Sequence, residues 1–282
     1  RRHAPHAELW ILCMDEQVEG QLRQLALAHV HLLPLREVEN EALLSVKPGR
    51  GRGEYCWTLT PFVFDAVFAR AGSATRVTYL DADLYFYRDP TRLLEELDRS
   101  GKHVLITEHA YAPEYDQSAK VGRFCVQFLT VRNTEAGRAV TSWWQQRCLE
   151  WCFHRHEDGK YGDQKYLDAW PTLFAEQVHI LEQVHETLGP WNVRRLIGAE
   201  APTFYHFHGL RITAPTRVQL YNGYRIGGGA RLYDSYMQAL RGASETLHAH
   251  GMAMPTLPQT SLRDRLKLLK NLALGRYMER TL

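Results

Sequence analysis

The stretch Val77-Thr-Tyr-Leu-Asp-Ala-Asp-Leu-Tyr-Phe-Tyr87 joins an apolar run to two carboxylates one residue apart. Residues 76–80 are predicted to form a buried strand that runs directly into Asp81, with Asp83 two positions later. In open α/β folds, ligands bind at the carboxyl edge of the sheet. Two carboxylates at that edge can share a hard divalent cation with the oxygens of a diphosphate. Taken alone, Asp-x-Asp is explained equally well by solvated aspartates at a strand-to-loop transition.

Predicted strands and helices alternate on both sides of this stretch. Apolar runs predict strands at residues 8–15, 29–34, 76–80, 103–107, 125–131 and 178–181, and helical periodicity predicts helices at 17–30, 58–70, 90–98, 135–152 and 163–169. Pro61 is placed in the first turn of its helix, where proline is tolerated. The alternation indicates an α/β fold with a predominantly parallel sheet covered on both faces.

The composition is that of a globular protein with one large core. The chain has 282 residues, of which 45% are hydrophobic and 23% charged. Its net charge of +2 is too small to indicate a nucleic-acid partner. No apolar window reaches the roughly 20 residues of a membrane span, and the first residues lack the apolar run of a signal peptide. We therefore expect a soluble chain.

The five cysteines are an odd number and are scattered along the chain. This usage favours reduced thiols and a cytoplasmic location. The spacing Cys148-x3-Cys152, followed by His154 and His156, raises a structural zinc site as an alternative. That spacing matches no standard zinc motif, so a helix face followed by a loop is the preferred interpretation.

The α/β alternation ends near residue 213. We therefore predict a catalytic domain at residues 1–215 and a mostly helical extension at 216–282, with the three glycines from Gly227 as a breaker. The last predicted helix places Leu262, Leu266, Leu269 and Leu272 on one face and basic residues over much of the rest. A basic amphipathic helix of this kind contacts an anionic membrane surface at the inner face of the membrane, docks on its own domain, or docks on the next domain of a longer chain.

Three segments, in order, resemble motifs of the GT-A glycosyltransferases. They are Tyr79-Leu-Asp-Ala-Asp-Leu84, Gly162-Asp-Gln-Lys-Tyr-Leu167 and His206-Phe-His-Gly209. The chain is most similar to the retaining group that includes bacterial lipopolysaccharide galactosyltransferases and glycogenin, and the resemblance spans residues 8 to 211. It implies a GT-A fold, which is a Rossmann-like, mixed but mostly parallel central sheet flanked by helices.

The resemblance implies a metal site for Mn2+ or Mg2+. Asp81 and Asp83 match the family's metal-binding aspartates, and His206 matches the histidine that completes the protein's share of the ligands. His208, two residues later, is a competitor for that role. A neutral imidazole beside two carboxylates suits manganese. The alternative is that both histidines are ordinary core or surface residues.

The middle motif implies a sugar pocket. Asp163 and Gln164 match an Asp-Gln pair that lines this pocket, where a polar residue on the reactive face of the sugar stabilises an oxocarbenium-like transition state or traps the sugar covalently. Either route gives retention of configuration. Asp163 also opens a predicted helix and can serve as its N-cap, a role compatible with the first. An inverting enzyme would need a general base, for which Asp163 or Glu108 is available.

Other donor contacts are expected around these motifs. Asp15 ends the first predicted strand, where such enzymes recognise the base and ribose. The loop at residues 47–55 is rich in glycine and cations, and Arg50 or Arg52 can reach phosphate or sugar hydroxyls. A solvated surface loop is the alternative. Arg211 is the cation nearest the distal motif and takes the place of the family's missing Lys-Pro-Trp in neutralising the diphosphate.

The chain also departs from the family where a sugar contact is expected. The strand that commonly carries Asn-x-Gly has Cys125 and Gln127 instead, so the donor sugar stays open. Trp191-Asn192 and Arg194-Arg195 follow a Gly-Pro turn and can face the acceptor.

The expected function is transfer of a sugar from a nucleotide diphosphate sugar, with UDP favoured, to a glycan, lipid-linked or protein acceptor. A sugar nucleotidyltransferase is a rival, although residues 13–17 lack the glycine-rich basic loop such an enzyme needs after its first strand. A non-catalytic nucleotide- or sugar-binding module is the third possibility.

Overall fold

The computed structural model describes residues 2–257 and 262–282, with side chains described for 2–257 and 266–282. The described residues form twelve β-strands: β1 (Leu9–Cys13), β2 (Val30–Pro34), β3 (Arg76–Leu80), β4 (Leu84–Phe86), β5 (Val104–Glu108), β6 (Phe124–Arg132), β7 (Val178–Ile180), β8 (Thr187–Leu188), β9 (Phe204–His206), β10 (Arg211–Ala214), β11 (Arg217–Asn222) and β12 (Tyr277–Thr281).

The same residues form eleven α-helices: α1 (Glu16–Leu25), α2 (Glu41–Val46), α3 (Arg52–Leu59), α4 (Val63–Arg70), α5 (Thr91–Ser100), α6 (Ser118–Val121), α7 (Glu135–Glu150), α8 (Trp170–Leu173), α9 (Val193–Leu196), α10 (Ala230–Ala249) and α11 (Leu262–Ala273). Short 3-10 helices occupy Leu35–Glu37, Lys47–Gly49, Thr60–Phe62, Pro113–Tyr115, Gln164–Ala169, Val184–Glu186 and Gly227–Gly229. The mixed α/β class is therefore confirmed.

The chain divides into two compact units, each built from three separate stretches of the sequence. The first unit comprises residues 1–81, 90–111 and 116–184, and the second comprises 82–89, 112–115 and 185–282. This partition differs from the boundary expected at residue 215. The assignment of residues 1–215 to a catalytic domain stays a prediction.

Two sheets lie in the first unit. Strands β1 and β2 pair in parallel, and a four-stranded sheet has the order β3-β6-β5-β7. In that sheet β6 lies antiparallel to both β3 and β5, and only β5 and β7 pair in parallel. The expectation of a mostly parallel sheet is therefore wrong. A buried apolar run predicts a strand without giving its direction, and the nine-residue β6 is buried along nearly its whole length.

Aromatic side chains of α7 and α8 fill the core behind this sheet. Trp144 and Trp170 are fully buried and meet edge to face, with ring centroids 5.4 Å apart. The Nε1 group of Trp144 donates to the carbonyl oxygen of Asp163 over 2.9 Å. This hydrogen bond holds the backbone at Asp163 against the rigid core of the first unit.

The helix predicted at residues 58–70 is interrupted. Helix α3 ends at Leu59, the 3-10 helix Thr60–Phe62 follows, and α4 begins at Val63. Pro61 has no backbone N–H to donate, so an uninterrupted α-helix through this position would lose a hydrogen bond. Helix α3 also begins earlier than predicted, at Arg52, inside the segment 47–55 for which the sequence had indicated a basic loop.

The second unit contains two three-stranded sheets, of order β4-β9-β8 and β10-β11-β12. Helix α10 contributes buried Leu232, Tyr233 and Met237 to its core. The expected helical C-terminal part is present, but β11 and β12 add an antiparallel pair that the sequence pattern of residues 216–282 did not indicate.

Segment 82–89 is anchored within the second unit by a buried ion pair. Arg88 donates to the carboxylate of Glu186, which is 2% exposed. The same carboxylate accepts from the Thr203 amide over 3.0 Å and from the Thr203 hydroxyl over 2.8 Å. Because buried charges must be paired, this network fixes the strand that begins just after Asp83.

A pair of glycine variants tests the packing of α7 against β6. A Cβ atom at Gly137 would lie 2.5 Å from the carbonyl oxygen of Arg132, whereas a Cβ at Gly242 in α10 would meet nothing within 4 Å. We predict that Gly137→Ala lowers the free energy of unfolding by about 1–3 kcal/mol. Gly242→Ala should raise it by about 0.4–1 kcal/mol through reduced freedom of the unfolded chain. Urea unfolding measures both, and equal effects would contradict the packing described.

Candidate metal centre and surrounding residues

Antiparallel pairing of β4 and β9 brings two of the sequence motifs together in the second unit. Leu84 pairs with His206, and the Phe207 amide donates to the carbonyl oxygen of Asp83 over 2.8 Å. His206 is buried, and its Nε2 lies 3.0 Å from Oδ1 of Asp83. His208 joins them, so that one ligand atom from each of the three residues lies within 4.8 Å of the others.

Trp191 packs against both histidines. Its ring meets His206 at a centroid distance of 5.1 Å and His208 at 5.7 Å, in both cases edge to face. Trp191 is itself buried, and its neighbour Asn192 accepts a hydrogen bond from the Gly189 amide over 2.9 Å. The pair was expected to face an acceptor, which stays a prediction, and the packing of Trp191 restricts the orientation of both imidazoles.

The electrostatics of this cluster favour metal-binding protonation states. Burial opposes ionisation of Asp83, but the hydrogen bond from His206 and the charges of both histidines outweigh burial and lower its pKa. Desolvation, followed by repulsion from His206, lowers the pKa of His208 although part of its side chain reaches solvent. An ionised carboxylate beside a neutral imidazole is the form in which both groups bind metal.

The donor set fits a divalent ion of the manganese type. Carboxylate oxygens and imidazole nitrogens are both accepted by Mn2+, whereas Mg2+ prefers oxygen ligands alone. Both histidines, and not only His206, are therefore available as ligands. The sequence left open whether His206 or His208 is the ligand. In the structure, both imidazoles lie close to Asp83.

Asp81 is the last residue of the first of the three segments that make up the first unit. Its Oδ1 accepts from the Tyr79 hydroxyl over 3.0 Å, and its backbone amide donates to the carbonyl oxygen of Gln127 over 3.1 Å. One residue separates Asp81 from Asp83, so chain geometry alone keeps their Cα atoms within about 7 Å. The Tyr79 contact was not anticipated, although an aromatic hydroxyl two residues before a strand-end carboxylate lies on the same strand face.

Asp163 is an unusual carboxylate in the first unit. It is 3% exposed, and its Oδ2 has no hydrogen-bond partner among the described residues. Burial and the nearby charge of Asp81 raise its pKa to about 7, against partial compensation from Thr60. The alternative role as a helix cap is not supported, because the side chain makes no capping hydrogen bond to the 3-10 helix that follows.

Gln164 and Gly162 flank this carboxylate. The side-chain amide of Gln164 donates to the carbonyl oxygen of Val121 over 3.1 Å. Gly162 has a φ of 53°, and a Cβ atom there would meet the Trp57 ring at 3.3 Å. Glycine therefore permits the tight turn that leads into Asp163.

Two of the predicted donor contacts lie together in the first unit. Oδ1 of Asp15 caps α1 by accepting from the Val18 amide over 2.8 Å, while Oδ2 lies 3.3 Å from Nη2 of the exposed Arg52. Arg50, the other candidate, instead donates to the Leu149 carbonyl oxygen over 3.1 Å and stacks on Phe153. Of the two arginines, Arg52 is the one whose side chain is largely exposed.

The remaining predicted residues divide between the two units. Arg211 begins β10 in the second unit, is exposed, and lies close enough to His208 to help lower its pKa. Cys125 and Gln127, which replace the family's usual sugar contact, are both buried on β6 in the first unit. Glu108 is bound by Arg123 in the same unit.

The zinc alternative is not supported. All five cysteines are free thiols, and Cys148 and Cys152 are buried. His154 and His156 are exposed, and no metal-ligand group among the side chains of residues 2–257 and 266–282 includes these four residues. The two cysteines instead pack in the core of the first unit.

The fold and the site define an α/β protein with a clustered carboxylate and imidazole ligand set. No protein-family model matches the chain. Its sequence is 33% identical over 229 residues to the uncharacterized protein YfnF of Bacillus subtilis (strain 168), covering 75% of each chain. It is 29% identical over 248 residues to the uncharacterized protein YfnD of the same organism, covering 83% of this chain and 79% of YfnD. The chain belongs to the family of YfnF.

Two solved structures are similar at low sequence identity. Mouse xyloside xylosyltransferase 1 in its apo form has a TM-score of 0.45 and 15% identity, covering 73% of this chain and 88% of that chain. A glycosyltransferase involved in the glycosylation of the major capsid of PBCV-1 has a TM-score of 0.44 and 8% identity, covering 71% and 92%. Similarity at this level assigns no activity to the chain.

The raised pKa of Asp163 predicts a pH dependence of stability. A carboxylic acid whose pKa is near 7 when folded and 3.8 when unfolded stabilises the fold fully below pH 3.8, and the effect is lost as the pH rises toward 7. Asp163→Asn should remove this dependence and make the metal-free protein more stable than the parent at pH 8, by on the order of 1–3 kcal/mol.

Urea unfolding in EDTA between pH 4 and pH 8 measures the difference between variant and parent. The exposed Asp158→Asn is the matched control and should leave the dependence unchanged. A difference between Asp163→Asn and the parent that does not vary with pH would contradict the burial of a titrating carboxyl group.

Proposed function

We propose that the protein is a metal-dependent glycosyltransferase that transfers a sugar from a nucleotide diphosphate sugar, with UDP as the favoured nucleotide. The observation that carries the proposal is the meeting of Asp83, just before β4, with His206 at the end of β9 and His208 two residues beyond it. These residues belong to the first and third motifs of the family resemblance. A divalent cation held by such ligands can bind the oxygens of a diphosphate and stabilise the charge on it as it departs.

Asp81, Asp83 and His206 are proposed to hold Mn2+, with His208 as a further ligand. The bound cation would offset the charge that builds on the departing nucleoside diphosphate. Trp191 keeps the two imidazoles oriented by packing against both rings. Tyr79 orients the Asp81 carboxylate by donating to Oδ1.

Asp163 and Gln164 are proposed to contact the sugar. A buried carboxyl group with an unpaired oxygen is available to stabilise positive charge developing at the anomeric carbon, or to bond to it transiently. Both routes lead to retention of configuration. Holding such a group away from water costs stability, a cost often seen at functional sites.

Asp15 and Arg52 are proposed to bind the base and ribose, and Arg211 the diphosphate. The Asp15 carboxylate and the Arg52 guanidinium already lie together, so the first can accept a hydrogen bond from a ribose hydroxyl and the second can donate one.

The molecule that receives the sugar is proposed to be a glycan, a lipid-linked saccharide or a protein, and we propose a cytoplasmic location. No helix in the described ranges is long and apolar enough to cross a membrane.

Nucleotide binding should depend on the metal and on Asp83. With saturating UDP and MnCl2, the parent should gain roughly 5–10 °C in Tm, and UDP with EDTA should give little or none. Asp83→Asn should abolish the metal-dependent gain. Asp234→Asn, which removes an exposed carboxylate of the second unit from its ion pair with Arg280, is the control and should keep it. If no nucleoside diphosphate raises the Tm, the proposal fails.

Slow hydrolysis of the donor separates an enzyme from a binding module. The parent should release UDP from UDP-sugars in the presence of MnCl2 without acceptor, as measured by liquid chromatography. Asp163→Asn should reduce the rate by roughly 10²–10³-fold, because it removes the charge facing the sugar. It should retain the metal-dependent Tm gain with UDP. Metal-dependent UDP binding with no turnover of any UDP-sugar would favour a binding module.

A further inference from the structure

Helix α11 carries a row of leucines on its outward face. Leu266 and Leu269 are each 63% exposed, and Leu272 is 57% exposed. Positions three residues apart lie on adjacent parts of one helix face, so the three side chains form a continuous apolar strip. Leucines at this exposure are not packed on the described core of the second unit. Of the three interpretations that the sequence left open for this face, docking on that core is therefore not supported for these leucines.

The opposite face of α11 fixes the helix to the second unit. Asn271 is 7% exposed, and its side-chain amide donates to Oδ1 of Asn222 over 2.6 Å. Its carbonyl oxygen accepts from the Arg276 amide over 2.7 Å, and the Arg276 carbonyl oxygen accepts from the Gly223 amide over 2.7 Å. These bonds tie α11 to β11 and to the start of β12. The leucine strip is consequently held in a fixed outward orientation.

Cations flank the strip. Lys267 and Lys270 are exposed on the same helix, and Nε of the exposed Arg225 donates to the Leu274 carbonyl oxygen just beyond the end of the helix. In sequence, α11 has four basic residues against one acidic residue. An apolar strip bordered by cations is the pattern of a helix that lies flat in the headgroup region of an anionic lipid surface.

We propose that α11 binds peripherally to anionic membranes, with Leu266, Leu269 and Leu272 entering the apolar boundary and Lys267 and Lys270 meeting the headgroups. Three features favour lipid over a protein partner. The apolar surface is a narrow strip of a single side-chain type, it contains no aromatic anchor, and the described charged side chains between its leucines, Lys267 and Lys270, are both cations. The proposal does not depend on the glycosyltransferase assignment.

Vesicle co-sedimentation of the full chain tests the proposal. The parent should sediment with vesicles of phosphatidylcholine and phosphatidylglycerol and remain in the supernatant with phosphatidylcholine alone. The triple variant Leu266→Gln, Leu269→Gln, Leu272→Gln should bind roughly tenfold or more weakly. The matched control is Leu44→Gln with Leu173→Gln, which replaces leucines 50% and 54% exposed in the first unit and should leave binding unchanged. Glutamine keeps the helix propensity of leucine, so the triple variant should unfold at the parent's Tm.

The charge contribution is tested separately. Lys267→Gln with Lys270→Gln should weaken binding to anionic vesicles by roughly tenfold or more, and added salt should weaken the parent similarly. Lys120→Gln, an exposed lysine of the first unit, is the control and should have no effect.

Three results would overturn the proposal. The first is a parent that ignores anionic vesicles. The second is equal loss in the leucine variants and their control. The third is a parent that is dimeric by light scattering while the triple variant is monomeric, because this would assign the strip to a second copy of the chain.

Discussion

The hydrogen bond between Asp83 and His206 is the contact on which the proposed site depends. It forms because β4 and β9 pair antiparallel, which places a strand-end carboxylate opposite a histidine from far along the chain. The buried ion pair of Arg88 and Glu186 secures the same β4 segment, and Trp191 closes over the imidazoles. Each of these is a packing feature of the second unit, so the ligand set is held in place by the fold itself.

In the first unit, the feature of interest is the buried carboxyl group of Asp163. Its carboxyl group is buried near Asp81, and no hydrogen bond satisfies Oδ2 among the described residues. Burying ionisable groups in this way raises the free energy of the folded state at neutral pH. The packing of the rest of the unit must offset this cost. The Trp144 hydrogen bond to the carbonyl oxygen of Asp163 joins this residue to the core of the first unit.

The sequence indicated the strand at residues 76–80 correctly, because Val77, Tyr79 and Leu80 just before Asp81 are a local signal. The expectation that this strand is buried is wrong, since all five of its residues are half-buried. The family resemblance also grouped His206 with Asp83, although the two residues are far apart in the sequence, and in the structure their side chains lie 3.0 Å apart. The sequence did not indicate the direction of β6, because strand pairing depends on distant partners. The contacts of Arg50 with the end of α7 are non-local in the same way, so no pattern around residue 50 indicates them. The break at Pro61 had a local signal in the missing N–H, but two short helices and one long helix have similar apolar patterns.

In the proposed function, Asp83 and His206 hold a metal that binds the donor diphosphate. Anomalous diffraction at the manganese edge, from crystals grown with MnCl2 and UDP, tests it most directly. We predict a single strong manganese peak about 2.2 Å from the Asp83 carboxylate and the His206 imidazole, with the UDP phosphates beside it. Bound UDP with no manganese peak at these residues, or a peak at another group of ligands, would contradict it.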